Sequence, residues 1–214
     1  MKRFLYYCVI FGFLMFLSYQ VFASTVLYFD LEQLKIQSEY IVFGKAQSSQ
    51  SFWDEKHQKI FTKHFIELSE TLKDFEQSSE YTIEPGNAKK VISIITLGGE
   101  IPKLGMHVPG EPNFTKDEET ILFLIRHPLF KKSFRVLGMS QGKWNIFIHP
   151  QTLEKFVYPS TKNLNLVNNP QIQNIELTHF PIRLSLLRED LLQRFSLPSK
   201  QIIKSDMSLK NKNK

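Results

Sequence analysis

The sequence of 214 residues has almost no cysteine: its single thiol, Cys8, lies in the first apolar run of the chain. One cysteine excludes a disulfide within the chain and a zinc site built on several thiolates. Removal of the N-terminal segment would also exclude a cysteine nucleophile. Many small exported domains use disulfides for stability, so this fold must depend on its buried core instead.

Long hydrophobic runs are also scarce, because the only one that could span a membrane is N-terminal. Met1-Lys2-Arg3 is positively charged, residues 4–17 are almost wholly apolar, and Val21-Phe22-Ala23 fits a cleavage site. The pattern predicts a signal peptide over residues 1–23, cleaved between Ala23 and Ser24, and a periplasmic or secreted protein. An uncleaved anchor is the alternative, because the segment is long enough to cross a bilayer. Cys8 lies too early in the apolar run for a lipoprotein.

The body of the chain lacks an excess of either charge. The whole sequence has a formal net charge of +6, but residues 24–199 contain 20 basic and 20 acidic side chains. A neutral body does not predict an extended phosphate-binding face, so nucleic acid is not an expected partner. The excess of lysine lies in residues 200–214, which have no apolar periodicity and are predicted to form a disordered tail.

Short β-branched and aromatic segments between polar turns predict a mainly β fold. The segments predicted to be strands are residues 25–29, 41–46, 91–97, 120–126, 133–137, 144–148 and 155–158. Their close spacing predicts one small closed or half-closed antiparallel barrel over residues 24–158. Gly44, Gly98 and Gly99 are expected at sharp bends or bulges. The polar residues 74–86 are expected to form a loop.

Two helices are predicted beside these strands. Residues 31–40 suit a short N-terminal helix. In residues 159–199, an Asn- and Gln-rich surface loop leads to an amphipathic C-terminal helix that packs on the barrel. Pro181 opens this helix, and its apolar face consists of Leu184, Leu187, Leu191 and Phe195. Residues 59–73 fit a helix and a strand equally well, so periodicity leaves both open.

The region of residues 98–116 is rich in glycine and proline and is not expected to contain a regular element. It leads into a strand and lacks the Lys-Ser/Thr pair of a phosphate cradle, so a structural crossover is the first expectation. Long loops at barrel rims are nevertheless common places for binding sites. If the protein binds a ligand, the predicted site consists of Gly98, Gly99, Met106, His107 and Val108.

Four segments resemble a family of uncharacterised exported bacterial proteins. They are LEQLKIQSEYIVFGKA, SFWDEKHQKIFTKHFIEL, IITLGGEIPKLGMHVPGEPNFTKDEETILFL and FRVLGMSQGKWNI, between about Leu31 and Ile148. The resemblance implies an OB-type barrel, similar in outline to the tissue-inhibitor-of-metalloproteinase domain, and a strand at residues 59–73. Those inhibitors act through an N-terminal cysteine, which a chain beginning at Ser24 would not have. Asp117 stands where the family usually has glycine, which concerns only the local turn.

Residues 138–142, GMSQG, match the G-x-S-x-G pattern of serine hydrolases, in which Ser140 would be the nucleophile. The pattern works as a strand-to-helix elbow, whereas the following KWNIFI is strand-like. A hairpin loop between the two flanking strands is therefore the competing interpretation. The sequence does not select the base among four histidines: His107, His127, His149 and His179.

No other catalytic or metal-binding pattern is present. The six histidines lack metal-site spacing, and His57 and His64 would lie on opposite faces of a strand. Glu118 and Glu119 would also point to opposite faces, which excludes a shared acid-base role. We therefore expect no cofactor and no metal, and a non-enzymatic binding module of the cell envelope with an envelope protein as its candidate partner. A hydrolase that uses Ser140 is the alternative.

Overall fold

The computed structural model describes residues 25–56, 58–74, 82–83, 90–161, 164–167 and 181–196. The predicted signal peptide with its cleavage site, His57, His179 and the basic tail lie outside these residues. In chain order, the described elements are β1 (Thr25–Leu27), α1 (Leu31–Gln37), β2 (Tyr40–Trp53), β3 (Ile60–Asp74), β4 (Thr82–Ile83), β5 (Lys90–Leu97), β6 (Gly99–Ile101), β7 (Leu104–Met106), β8 (Glu119–Arg126), β9 (Phe134–Val136), a 3₁₀ turn (Met139–Gly142), β10 (Lys143–Ile148), β11 (Lys155–Pro159), β12 (Asn165–Val167), β13 (Ile182–Arg183) and α2 (Leu184–Ser196).

Five strands close into a barrel. β2 pairs with β3 on one side and with β8 on the other, and β3 pairs with β5, all in antiparallel orientation. β9 closes the ring, because it runs parallel to β5 at Ile94 and antiparallel to β8. The predicted mainly β barrel is confirmed, with one parallel contact in an otherwise antiparallel ring. The strand implied for residues 59–73 is also present, as β3.

The long strand β2 contains the predicted irregularity at Gly44. Its pairing with β3 shifts register at three places, one of them between Phe43 and Gly44. A Cβ on Gly44 would lie 2.8 Å from the carbonyl oxygen of Glu67, so the neighbouring strand leaves no room for a side chain. β2 also continues through the serine- and glutamine-rich residues 47–51, beyond the predicted strand, because β3 provides pairing partners as far as Trp53.

The barrel has a core on each side of its wall. Strand β8 shows this best, since residues 121–124 are fully buried although successive side chains point to opposite faces. Leu122 and Leu124 belong to the cluster inside the barrel, and Ile121 and Phe123 to a second cluster outside it. The outer cluster includes Leu187 and Leu191 of α2, so the helix covers the outer wall. Burial on both faces explains the unbroken apolar sequence of β8.

Both predicted helices are present. Asp30 caps α1, because its Oδ1 accepts a hydrogen bond of 2.7 Å from the backbone N–H of Gln33. At the other end, the buried Lys73 ammonium donates to the carbonyl oxygens of Lys35 and Ser38, at 2.8 and 2.5 Å. Lysine at this position satisfies carbonyls that a helix end leaves without partners.

The predicted hairpin around residues 138–143 is wrong. β9 and β10 do not pair with each other but follow one another along the same edge of β8, at residues 124–126 and 120–122. The chain continues forward because Gly138 adopts a left-handed conformation and a 3₁₀ turn follows. Beyond β10, the sheet extends through β11 to β13.

Four short strands lie in three regions where loops were predicted. In residues 98–116, β6 and β7 form a hairpin whose turn places Lys103 at a φ of 71°. In residues 74–86, which are only partly described, β4 pairs with the start of β5. In the Asn- and Gln-rich region, β12 pairs in parallel with β1. Pairs of two or three residues carry too little periodicity to be found from sequence.

Candidate functional site

One end of the barrel interior is polar, and it is built from three strands. Thr62 and His64 share one face of β3. The register sets Thr96 of β5 opposite Thr62, and it sets Ser51 and Ser49 of β2 opposite Thr62 and His64. Five side chains that carry a hydroxyl or an imidazole therefore converge at the end of the barrel next to the β6–β7 hairpin.

A chain of hydrogen bonds fixes the hairpin to this polar end. The Thr62 hydroxyl donates to the carbonyl oxygen of Gly98 at 2.7 Å, and Ser51 Oγ lies 2.9 Å from Thr62 Oγ1. Since Thr62 uses its proton on Gly98, Ser51 is the donor in this pair. Ser51 Oγ in turn accepts from the backbone N–H of Glu100 at 3.2 Å. The hydroxyls thus act as links of the fold as well as lining groups.

The two glycines predicted at bends are required by this arrangement. Gly98 has a φ of 100°, and a Cβ there would lie 2.7 Å from the carbonyl oxygen of Met106. Gly99 has a φ of 136°, and a Cβ there would overlap the Thr62 hydroxyl oxygen and lie 2.5 Å from Ser51 Oγ. Only glycine adopts such angles readily. The prediction of bends at Gly98 and Gly99 is therefore confirmed.

His64 is the buried centre of the polar end, with 4% of its surface exposed. Its Nδ1 lies 2.6 Å from Ser49 Oγ, its Nε2 lies 2.9 Å from Thr96 Oγ1, and its ring packs on Phe114 at 4.6 Å. Burial, and secondarily the positive charge of Lys143, lower the pKa of His64 to about 4. The imidazole is therefore neutral at pH 7, with one donor and one acceptor for the two hydroxyls.

A cleft of about 500 Å³ opens from these groups towards solvent. The cleft lies between the β6–β7 hairpin and the polar side chains of β2, β3 and β5. All five residues of the predicted binding site line it: Gly98, Gly99, Met106, His107 and Val108. The His107 side chain is exposed, and those of Met106 and Val108 are half-buried. That these residues bind a ligand stays a prediction.

Two carboxylates line the same cleft, Glu100 and Glu111. Burial raises the pKa of the Glu111 carboxyl, while a hydrogen bond from the backbone of Leu97 and the charge of Arg135 oppose the shift. No lysine or arginine is among the described residues that line the cleft. Its walls therefore combine neutral hydroxyls and carboxylates with the apolar side chains of Met106 and Val108.

Ser49 and His64 have the spacing of a nucleophile and its base, which the sequence analysis missed. A general base works best when its pKa lies near the operating pH, and the pKa of His64 lies well below it. The pair therefore suits a relay of hydrogen bonds better than proton abstraction. The residues are 15 positions apart and meet only through the β2–β3 register. The sequence could have revealed this contact only through a prediction of that register.

Ser140 is placed differently from the nucleophile of a serine hydrolase. It lies in the 3₁₀ turn, 6% exposed, and its backbone N–H donates to Gly110. It lines a polar pocket of about 230 Å³ with Glu118 and Lys143, and this pocket adjoins the cleft because Glu111 and Asn113 line both. In the described part of the chain, no histidine is hydrogen-bonded to Ser140.

The remaining candidates have structural contacts. Glu118 pairs with Lys143 at 2.7 Å and Glu119 pairs with Lys155 at 2.6 Å, so the two carboxylates have different partners. His127 Nδ1 accepts from the backbone N–H groups of its own loop. Among the described residues, no group of three or more metal-ligating side chains is placed to hold a metal ion. Neither described helix has the length and apolar character that crossing a membrane requires.

Comparison of the sequence with models of known protein families and with curated proteins finds no match in either set. The function proposed below therefore rests on the geometry of the cleft and on the sequence pattern.

Proposed function

We propose that this chain is an exported, non-enzymatic binding module of the bacterial cell envelope, and that the cleft beside the β6–β7 hairpin holds its ligand or a segment of a partner protein. The observation that carries the proposal is the convergence of five polar side chains with the five loop residues predicted from sequence. Ligand sites are typically concave, with a few polar groups on otherwise apolar walls.

The barrel is further proposed to be of the OB type. Taken in chain order, the ring strands β2, β3, β5, β8 and β9 pair as one-two-three-five-four and back to one. OB-type barrels bind ligands across their second and third strands and adjoining loops. Here β3 and β5 are those strands, and both line the cleft through Thr62, His64 and Thr96. This coincidence of strand order and cleft position supports the assignment.

Export is tested by the mature N-terminus. Mass spectrometry of the protein recovered from the envelope fraction is expected to find a chain that begins at Ser24. A chain that begins at Met1 and stays with the membrane fraction would establish the anchor instead. Protein recovered only from the cytoplasm would contradict the proposal.

Binding is tested by photo-crosslinking from inside the cleft. A benzoylphenylalanine in place of His107, which is exposed at the cleft, is compared with one in place of Leu153, which is 75% exposed elsewhere. Irradiation in the native envelope is expected to give a product from position 107 that position 153 does not give. Equal products from both positions, or none from position 107 together with no co-purifying small molecule in native mass spectrometry, would refute the proposed cleft.

A further inference from the structure

The loop between β8 and β9, residues 127–133, exposes an apolar side chain on a fixed backbone. The backbone N–H groups of Leu129 and Phe130 both donate to His127 Nδ1 at 3.2 Å, and the N–H of His127 donates to the carbonyl oxygen of Ser133 at 2.9 Å. These bonds turn the two neighbouring apolar residues in opposite directions. Leu129 remains 74% exposed, whereas Phe130 turns back onto the barrel.

Phe130 is held by an aromatic cluster on the outer side of the β2–β3 hairpin. Its ring centroid lies 5.1 Å from that of Phe61, 5.6 Å from that of Phe52 and 4.8 Å from that of His127. Edge-on contacts of this kind stabilise both rings. The cluster fixes the loop to the barrel, so the exposure of Leu129 is a property of the folded state.

Positive charge surrounds the exposed leucine. Lys131 and Lys132 come after Phe130 in the same loop, and both are exposed. The neighbouring β2–β3 turn, which carries the contacting Phe52 and Phe61, adds exposed Lys56 and Lys59 against the acidic Asp54 and Glu55. Asp54 uses one carboxylate oxygen on the backbone N–H groups of its own turn. This turn therefore contributes no net charge, and the local excess of positive charge is that of Lys131 and Lys132.

We propose that the 127–133 loop is an interfacial contact that places this side of the barrel on an anionic phospholipid surface. An exposed leucine next to lysines, with aromatic rings beneath, combines the apolar and electrostatic contributions that hold peripheral proteins on acidic bilayers. An acidic protein surface would match the lysines, but it would receive Leu129 only where it also carried an apolar patch, whereas an anionic bilayer offers both contributions everywhere. Ser51 and Thr62 alternate with Phe52 and Phe61, so the cleft is on the opposite face of the hairpin.

A second loop provides a matched control, because it also begins with His-Pro and exposes a leucine to the same extent. Leu153 is 75% exposed, and His149 Nδ1 accepts a backbone N–H within its turn. Leu153 is followed by Glu154 and by Lys155, and Lys155 pairs with Glu119 at 2.6 Å. The two loops thus share backbone design and apolar exposure but differ in charge.

The measurement must report on the 127–133 loop itself, because two other segments could also bind vesicles. Residues 1–23 are mostly apolar, and residues 200–214 contain five lysines. The full chain with Cys8→Ser receives one new cysteine, Leu129→Cys or Leu153→Cys, labelled with the apolar dye bimane. Vesicles of phosphatidylcholine, with or without phosphatidylglycerol, contain a spin-labelled lipid that quenches dye within the bilayer. We expect about threefold more quenching at position 129 than at position 153 on the anionic vesicles.

Charge reversal distinguishes vesicle binding through the loop from binding through the rest of the chain. Lys131→Glu with Lys132→Glu is expected to remove the extra quenching at position 129, and high salt is expected to weaken it. The control Lys103→Glu with Lys116→Glu changes the net charge equally at two other exposed lysines and is expected to leave the quenching unchanged. Equal quenching at positions 129 and 153, equal quenching on neutral vesicles, or insensitivity to reversal of Lys131 and Lys132 would each overturn the proposal.

Discussion

The two halves of the barrel interior are built from the same strands but by opposite kinds of side chain. In one half, Val42, Ile66 and Ile94 pack against Phe134, which is 1% exposed. In the other half, the same strands present hydroxyls and the His64 imidazole to a cleft. Burial of apolar area provides most of the stability of a small domain. The comparison indicates that the apolar half maintains the barrel, and the polar half is where we propose binding.

The polar half keeps its shape because its groups satisfy one another. His64 joins Ser49 and Thr96, while Ser51 and Thr62 form the chain that ends at the hairpin. A satisfied network defines one arrangement, whereas a buried polar group without a partner is costly. The polar half should therefore tolerate loss of single rim hydroxyls better than loss of its centre or of its glycines.

The largest expected effect is in the apolar half, at Phe134. Its phenyl ring packs edge-on against that of Tyr40, with centroids 4.7 Å apart. Its strand, β9, closes the barrel between β5 and β8. We expect Phe134→Ala to lower the free energy of unfolding by about 3–5 kcal/mol, because it removes buried apolar surface and leaves a cavity. Urea denaturation measures the change.

The matched control is Phe134→Leu, which keeps most of the apolar volume and should cost clearly less than Phe134→Ala. A loss below about 1 kcal/mol for Phe134→Ala would mean that the interior repacks freely. The apolar half would then not be what holds the barrel.

The next largest effect concerns the protonation of His64. Its pKa is about 4 in the folded protein, against 6.5 when unperturbed, so between these values the unfolded chain binds a proton that the folded chain does not. The free energy of unfolding should therefore fall as the pH falls from 6.5 to 4, by up to about 3 kcal/mol, and this contribution should be constant above pH 6.5. Urea denaturation across this range, with the His64→Gln variant, measures the contribution.

His64→Gln should reduce the slope of stability against pH in this window, because glutamine does not titrate. Equal slopes for the protein and its His64→Gln variant would show that the polar centre is solvated rather than buried.

A smaller effect is expected where the hydroxyl chain contacts the hairpin. Gly99→Ala would place a Cβ against the hydroxyls of Thr62 and Ser51 at an unfavourable φ. We expect a loss of about 1–3 kcal/mol in the free energy of unfolding. Gly105→Ala, in the same hairpin, is the control, since the nearest atom to its Cβ would be 3.6 Å away. If the two variants lose equal stability in thermal denaturation, the hydroxyl chain does not constrain Gly99.

The elements that could be predicted from the sequence are those in which burial within a single segment determines the spacing of the apolar residues. β8 was found from its apolar run, and α2 from the spacing of residues such as Leu187 and Leu191, both of which are buried. Gly44, Gly98 and Gly99 were found because bends favour glycine. The binding-site residues in and after the β6–β7 hairpin were predicted because long glycine- and proline-rich loops at barrel rims often carry binding sites, and they do line one cleft.

The sequence did not predict features that depend on pairing between distant segments. The prediction of a hairpin after β9 was wrong. Gly138 and Gly142 suit a tight turn, but β8 offers one continuous edge on which both β9 and β10 pair. The Ser49–His64 contact requires the β2–β3 register, which contains three shifts that no local pattern announces. The polar centre of the site is therefore a tertiary feature, although its loop wall is a local one.

The smallest expected effect on stability is the most informative about binding. Ser49→Ala removes an exposed hydroxyl that lies 2.6 Å from His64 Nδ1, at a rim where water can replace it. We expect the free energy of unfolding to change by at most about 1 kcal/mol, and photo-crosslinking from position 107 to fall severalfold.

Ser51→Ala should cost more stability, because both Thr62 and the N–H of Glu100 lose a partner. If Ser49→Ala destabilises the protein as much as Phe134→Ala, the polar half is structural like the apolar half. If the crosslinking is unchanged, the ligand does not contact this wall of the cleft.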